Sequence, residues 1–170
     1  MSVSEITETR QYLTFKLGNE VFATDVAKVR EVLDLTPITA IPRTPEFMAG
    51  VINLRGSVVP VVDFRLCFGM SKTESTRNTC IVVVEVVLDD ESIVIGALAD
   101  SVEEVIDLEP DQIEPPPRIG AHIRTEFIRG MGKRDAQFIM ILDIDRVFSA
   151  EELASVRKQH SGKGLLEAAA

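Results

Sequence analysis

The sequence predicts an all-β protein made of two related halves. Three observations carry that prediction: short apolar or alternating runs set off by turn residues, almost no helical periodicity, and two blocks that recur in the same order.

Taken in order, Leu13, Phe15 and Leu17 alternate with Tyr12, Thr14 and Lys16 up to Gly18-Asn19-Glu20, after which Val21-Phe22-Ala23 resumes as the second arm of a hairpin. Val51 to Leu54 and Val58 to Val62 flank Arg55-Gly56 as another hairpin, and Pro60, which has no N–H to donate, predicts an edge or bulged strand there. The Val-rich run Ile81 to Leu88 turns at Asp89-Asp90-Glu91 into Ser92 to Leu98. A last pair is expected from Met131-Gly132 and Phe138 to Leu142 around Lys133-Arg134-Asp135. Short helical turns are expected at Pro45 to Ala49 and Phe64 to Phe68. Ser149 and Glu152 have capping-box spacing, which predicts a short C-terminal helix and then a partly disordered tail over 149–170. The polar stretch Ser71 to Asn78 is the expected junction between halves. Glu109 to Arg124, with Pro110 and Pro115-Pro116-Pro117, reads as an extended surface connection.

The repeat is explicit. At an offset of about 73, Val29-Arg30-Glu31-Val32-Leu33-Asp34-Leu35 falls on Val102-Glu103-Glu104-Val105-Ile106-Asp107-Leu108, with five of seven positions identical. At an offset of about 80, Phe47 to Gly50 falls on Phe127 to Gly130, Val58 to Val62 on Phe138 to Leu142, Asp63 on Asp143 and Phe68 on Phe148. Each half is then a unit of about five strands, too small to bury its apolar face without its sister. The expected boundaries are roughly 15–75 and 79–148 within a folded region of 11–148, with an N-terminal strand free to join the second unit. Two packed barrels leave a groove between them.

Composition narrows the function. At 170 residues, 45% hydrophobic and 26% charged, the chain has the balance of a globular protein, and 18 basic against 27 acidic residues give a net charge of −9, unsuited to nucleic acid. Cys67 and Cys80 lack metal or redox spacing, which suits reduced thiols in cytosol, and no run approaches the ~18 apolar residues of a membrane span; neither a signal peptide nor a span is expected. With only His122 and His160, and no nucleotide-, serine- or zinc-binding motif, no cofactor or metal is expected. Glu31, Asp34, Glu104 and Asp107 could serve a hydrolase only as closely facing carboxylates in a deep pocket, and acidic residues on strands more often face water. What remains is a binding or scaffolding module working through apolar patches rimmed with charge.

The run PEFMAGVINLRGSVVPVVDFRLCFG, Pro45 to Gly69, closely resembles the signature of the CheW family of bacterial chemotaxis coupling proteins, and similarity continues from Gln11 to Phe148 through YLTFKLGNEVFATDVAKVREVL, GALADSVEEVIDLEPDQIEP and FIRGMGKRDAQFIMILDIDRVFS. The resemblance implies two five-stranded SH3/OB-like β-barrels with swapped segments. It implies a non-catalytic, cytoplasmic adaptor that couples chemoreceptors (methyl-accepting chemotaxis proteins) to the chemotaxis histidine kinase in membrane-associated arrays. By motif position, the receptor's helical signalling tip would lie on Leu13, Val29, Val32 and Val102, with Glu31 and Arg55 as polar members. The kinase's regulatory domain (CheA) would meet Ile38 and Ile41. The same β-branched residues also suit a barrel interior, and Arg55 could pin Glu31 or Asp63 internally instead of gripping a partner. The kinase's regulatory domain itself shares this architecture and is the rival within the binding class. Two departures stand out: the extension after Phe148 is long, and FIRGMG replaces the asparagine and arginine of the first half.

Overall fold

The computed structural model describes residues 9–71, 74–88, 90–115 and 127–149, and these form two sheets. In chain order, β1 (Arg10–Leu17) and β2 (Glu20–Asp25) form a hairpin, a 3₁₀ turn over Val26–Lys28 leads to β3 (Val29–Asp34), and β4 (Met48–Leu54) and β5 (Ser57–Asp63) form a second hairpin capped by α1 (Phe64–Cys67). The pattern then repeats with β6 (Cys80–Leu88) and β7 (Glu91–Ala99), β8 (Ser101–Leu108), the two-residue β9 (Ile113–Glu114), β10 (Ile128–Arg134) and β11 (Gln137–Leu142), and α2 (Ile144–Ser149). Among the described residues no helix is long and apolar enough to cross a membrane. The helix expected beyond Ser149 lies outside the described residues.

The sheets do not follow the halves of the chain. One has the order β3-β6-β7-β5-β4, the other β8-β1-β2-β11-β10-β9. Each repeat therefore lends its first hairpin to the other repeat's sheet, a reciprocal exchange that makes the two units inseparable. The polar stretch at the expected junction runs from α1, which ends the first repeat, to β6, which begins the second, and the strands on either side of it share one sheet. Repeat symmetry reaches fine detail. The β4–β5 register shifts between Met48 and Gly50, and the β10–β11 register between Ile128 and Gly130. The Asp63 N–H donates to the Phe47 carbonyl at 2.7 Å and the Asp143 N–H to the Phe127 carbonyl at 2.8 Å.

Both bulge glycines admit a neighbouring segment. A Cβ on Gly50, whose φ is +145°, would lie 2.2 Å from the Thr39 carbonyl oxygen, and one on Gly130 would lie 2.6 Å from Ile113 Cγ2. This close approach lets Thr39 pair with Val51 through two backbone hydrogen bonds of 2.9 Å, and lets β9 pair with β10.

Pro60 departs from expectation, because β5 is not an edge strand: it lies between β7 and β4. Val51, opposite Pro60, directs its N–H and carbonyl to Thr39, so the proline nitrogen points away from β4 towards β7, where the parallel ladder begins only at Val61. No ladder bond is lost.

Three apolar clusters result. Ile52, Val59, Val61, Ile81, Val83 and Leu98 fill one sheet's interior, and Tyr12, Val21, Ala23, Ile106, Leu108, Ile139 and Ile141 fill the other's. The largest cluster lies between them, with Leu13, Phe15 and Leu17 from β1 against Val82, Val84 and Val86 from β6. Six phenylalanines, Phe15, Phe22, Phe64, Phe68, Phe127 and Phe148, stack through it with ring centroids 5.4 to 6.3 Å apart. The hydroxyl of Tyr12 is buried without a hydrogen-bond partner among the described residues. Because an unmatched buried hydroxyl opposes folding, Tyr12→Phe is expected to leave the melting temperature unchanged or raise it, by up to about 1 kcal/mol of stability. A clear drop in a thermal melt would mean that the hydroxyl has a partner.

Candidate protein-binding groove

The two edge strands β3 and β8 rim one side of the shared core. Val29 pairs with Val84 and Val32 with Val82 on β6, while Val102 pairs with Phe15 and Val105 with Leu13 on β1. Cross-strand partners point to the same face, so all four valines belong to the face that carries the inter-sheet core. Val29 and Val102 pack half-buried against that core, whereas Val32 and Val105 are 42% and 49% exposed. Cys80 lies next to both rims: it pairs with Asp34 of β3, and its thiol donates to the carbonyl of Ala99, two residues ahead of β8, at 4.0 Å. Burial pushes its thiol pKa up, the Asp34 charge adds to this, and the Val102 backbone opposes it.

Leu13, at 6% exposure, lies beneath this strip as part of the core. Its place is the floor, where it supports the rims by packing. Val105 was not singled out in the sequence, although the repeat aligned it with Val32.

Arg55 and Glu31 stand beside the β3 rim. The loop Arg55-Gly56 has φ of 51° and 88°, which suits a tight hairpin turn, and the Asn53 side-chain carbonyl accepts the Gly56 N–H at 2.7 Å. That turn aims the guanidinium at β3, where Nη1 and Nη2 donate to the two Glu31 carboxylate oxygens at 2.7 and 2.8 Å. The fork is bidentate yet open, since the Arg55 side chain is 71% exposed. Hydrogen bonding from Arg55 is the largest influence on Glu31 and holds its carboxyl below the usual range; slight burial opposes this, and the charges of Arg55 and Arg30 add to it. A depressed folded-state pKa means that the pair is complete above the ordinary glutamate range and opens only as pH falls through the lowered value. Asp63, the other partner open to Arg55, is taken by Arg65.

The second repeat keeps an equivalent pair despite its different turn. Arg134 lies 3.3 Å from Glu104, the counterpart of Glu31, and Asp135 holds the left-handed position of Arg55 with φ of 56°. Beside it is a shallow depression of about 160 Å³, lined by Thr14, Val21, Glu104, Arg134 and Gln137 among others. That is small against the ~300–1,000 Å³ of small-molecule pockets, and its Glu104 is met by Arg134.

Ile38 and Ile41 lie on the segment that bridges to β4. Both are half-buried, Ile38 against the interior of its own sheet and Ile41 against the shared core, with Pro37, Thr39, Ala40 and Pro42 exposed around them. Among the described residues no cluster of metal-ligating side chains occurs.

Residues 11–152 match the family model of the CheW-like domain. This chain belongs to that family. It is 34% identical to the chemotaxis protein CheW of Klebsiella aerogenes over 154 residues, covering 89% of this chain and 90% of that protein. Identity to the chemotaxis protein CheW of Rhizobium meliloti is 35% over 143 residues, covering 84% and 90%. The crystal structure of the scaffolding protein TtCheW from Thermoanaerobacter tengcongensis superposes with a TM-score of 0.75 at 35% identity, covering 84% of this chain and 90% of that one. The exchanged two-sheet architecture is thus the fold of the CheW-like domain, and chemotaxis scaffolding is the role named for these relatives.

Removal of Arg55 separates stability from binding. An ion pair this exposed adds little to folding, so Arg55→Ala is expected to leave the melting temperature nearly unchanged while weakening any partner that uses the open fork. A large thermal shift would assign the arginine to folding alone.

Proposed function

We propose that this chain is a non-catalytic adaptor that joins chemoreceptors to the chemotaxis histidine kinase, working in the cytoplasm on membrane receptor arrays. The observation that carries the proposal is the apolar strip of exposed Val32 and Val105 with half-buried Val29 and Val102, continuous with the inter-sheet core and flanked by the Arg55–Glu31 pair. An amphipathic helical tip fits such a surface by laying its apolar face on the valines and its polar flank against Arg55. The segment carrying Ile38 and Ile41 gives the kinase's regulatory domain a second, separate face, reached through the exposed parts of both isoleucines. With two faces occupied, the adaptor raises the local concentration of kinase at receptor without any covalent step.

A hydrolase built on Glu31 and Glu104 fits poorly, because each is committed to its own arginine and they lie on strands of different sheets. Co-sedimentation of the chain with a receptor signalling-tip fragment and with the kinase's regulatory domain, singly and together, tests the adaptor reading directly. Both partners should bind at once; competition between them would refute two separate faces. Placing charge at the second face, Ile38→Asp with Ile41→Asp, should weaken kinase binding at least tenfold with receptor binding kept. Joint loss of both partners would report misfolding.

A further inference from the structure

Two ties between the sheets sit at the very starts of the rim strands, and their charges are inverted. At the start of β8, Asp100 accepts the Gly18 N–H of the β1–β2 turn at 2.6 Å and the Arg65 Nη1 of α1 at 2.7 Å. At the start of β3, Lys28 donates to Asp145 of α2 at 2.9 Å, and Asp145 also accepts the Val87 N–H at the end of β6 at 3.0 Å. The repeat relates Arg65 to Asp145, and each carboxylate receives an amide from near the end of an exchanged hairpin, Gly18 in the β1–β2 turn and Val87 within β6 opposite Ser92. In each tie a carboxylate receives the amide of an exchanged hairpin and a cation from across the sheet boundary. On α1 the helix supplies the cation; on α2 it supplies the anion.

We infer that these ties set the spacing of the two rims, making Lys28, Asp145, Arg65 and Asp100 positioning residues for whatever helix lies between them; for a receptor tip, the inference rests on the function proposed above. Lys28 immediately precedes Val29, and Asp100 stands two residues before Val102, so a displaced tie moves a groove valine within one or two residues. The two ties differ in strength. Arg65 is 2% exposed, whereas Lys28 and Asp145 are 34% and 35% exposed. The β8 rim is therefore fixed and the β3 rim is the adjustable one. Inverted polarity also protects the arrangement, since a hairpin docked on the wrong helix would set Lys28 against Arg65.

The experiment measures rim spacing and binding together. Spin labels at the exposed positions Arg30→Cys and Glu103→Cys, in a Cys67→Ser background, report the β3-to-β8 distance by double electron–electron resonance. The parent chain should give one narrow distribution. Asp145→Ala should broaden it and weaken binding of a soluble receptor-tip fragment by about fivefold, the most that one half-exposed tie supplies, with binding of the kinase's regulatory domain unchanged. Lys28→Arg, which retains the ion pair with an intact Asp145, should leave both readouts at the parent values. Should Asp145→Ala lose stability, Asp145→Asn keeps an acceptor for the Val87 amide and removes only the charge. An unbroadened distribution in both Asp145 variants, or equal weakening of both partners, overturns the inference. If the parent chain fails to bind the receptor tip at all, the proposed function falls, and the distance measurement still judges the ties.

Discussion

Asp63→Ala is expected to lower stability by about 3–5 kcal/mol, the range for breaking a buried ion pair from one side. Asp63 and Arg65 are each 2% exposed, with Arg65 Nε and Nη2 bonded to the two Asp63 oxygens at 2.8 and 2.9 Å. Without Asp63 the guanidinium keeps Asp100 but loses a bidentate partner where water is scarce, and α1 loses the cap that Asp63 gives the Arg65 N–H. At roughly 2–4 °C per kcal/mol for a chain of this size, the melting temperature should fall by ~6–20 °C. Asp143→Ala is the internal control, because its partner Arg146 is 49% exposed at 3.7 Å. It should cost about 1 kcal/mol, mostly as a lost cap. Equal losses in the two variants would show that burial of the pair is not the cause.

Val32→Asp and Val105→Asp should do the reverse, leaving the fold intact while abolishing receptor-tip binding. Both valines are nearly half exposed in the free protein, so a carboxylate there stays hydrated and the melting temperature should move by less than about 2 °C. Docking a helix on the strip would strip that water away. A central contact of this kind is worth about 2 kcal/mol or more, which corresponds to at least a ~30-fold loss of affinity in a titration with the tip fragment. Val58→Asp, at an exposed valine outside the strip, should bind as the parent does. Retained binding in the Val32 and Val105 variants would remove the strip as the receptor face.

The four strand pairs joined by short turns were legible in the sequence, because a hairpin is specified by alternation on either side of a few turn residues. Arg55-Gly56 and Gly18-Asn19 are such local signals. The duplication was legible too, since Val29 to Leu35 and Val102 to Leu108 are nearly the same peptide. From that identity Val32 and Val105 could have been paired as equivalent surface residues. Of the candidate site, Val29, Val32 and Val102 fall on the strip, while Leu13 is covered by the packing of its own strand.

Sequence by itself determined the four hairpins, their turns and the repeat, all of which depend on residues near one another in the chain. Tertiary structure alone decided which hairpin joins which sheet. β3 could have met β1 or β6 with comparable local merit, for both are apolar strands, and it pairs with β6, its valines on the face of the shared core. It decided likewise that Arg55 takes Glu31 while Arg65 takes Asp63, and that Pro60 sits inside a sheet. Partner choice among chemically similar groups is set by distances across the fold, and those distances exist only once the exchange of hairpins is complete.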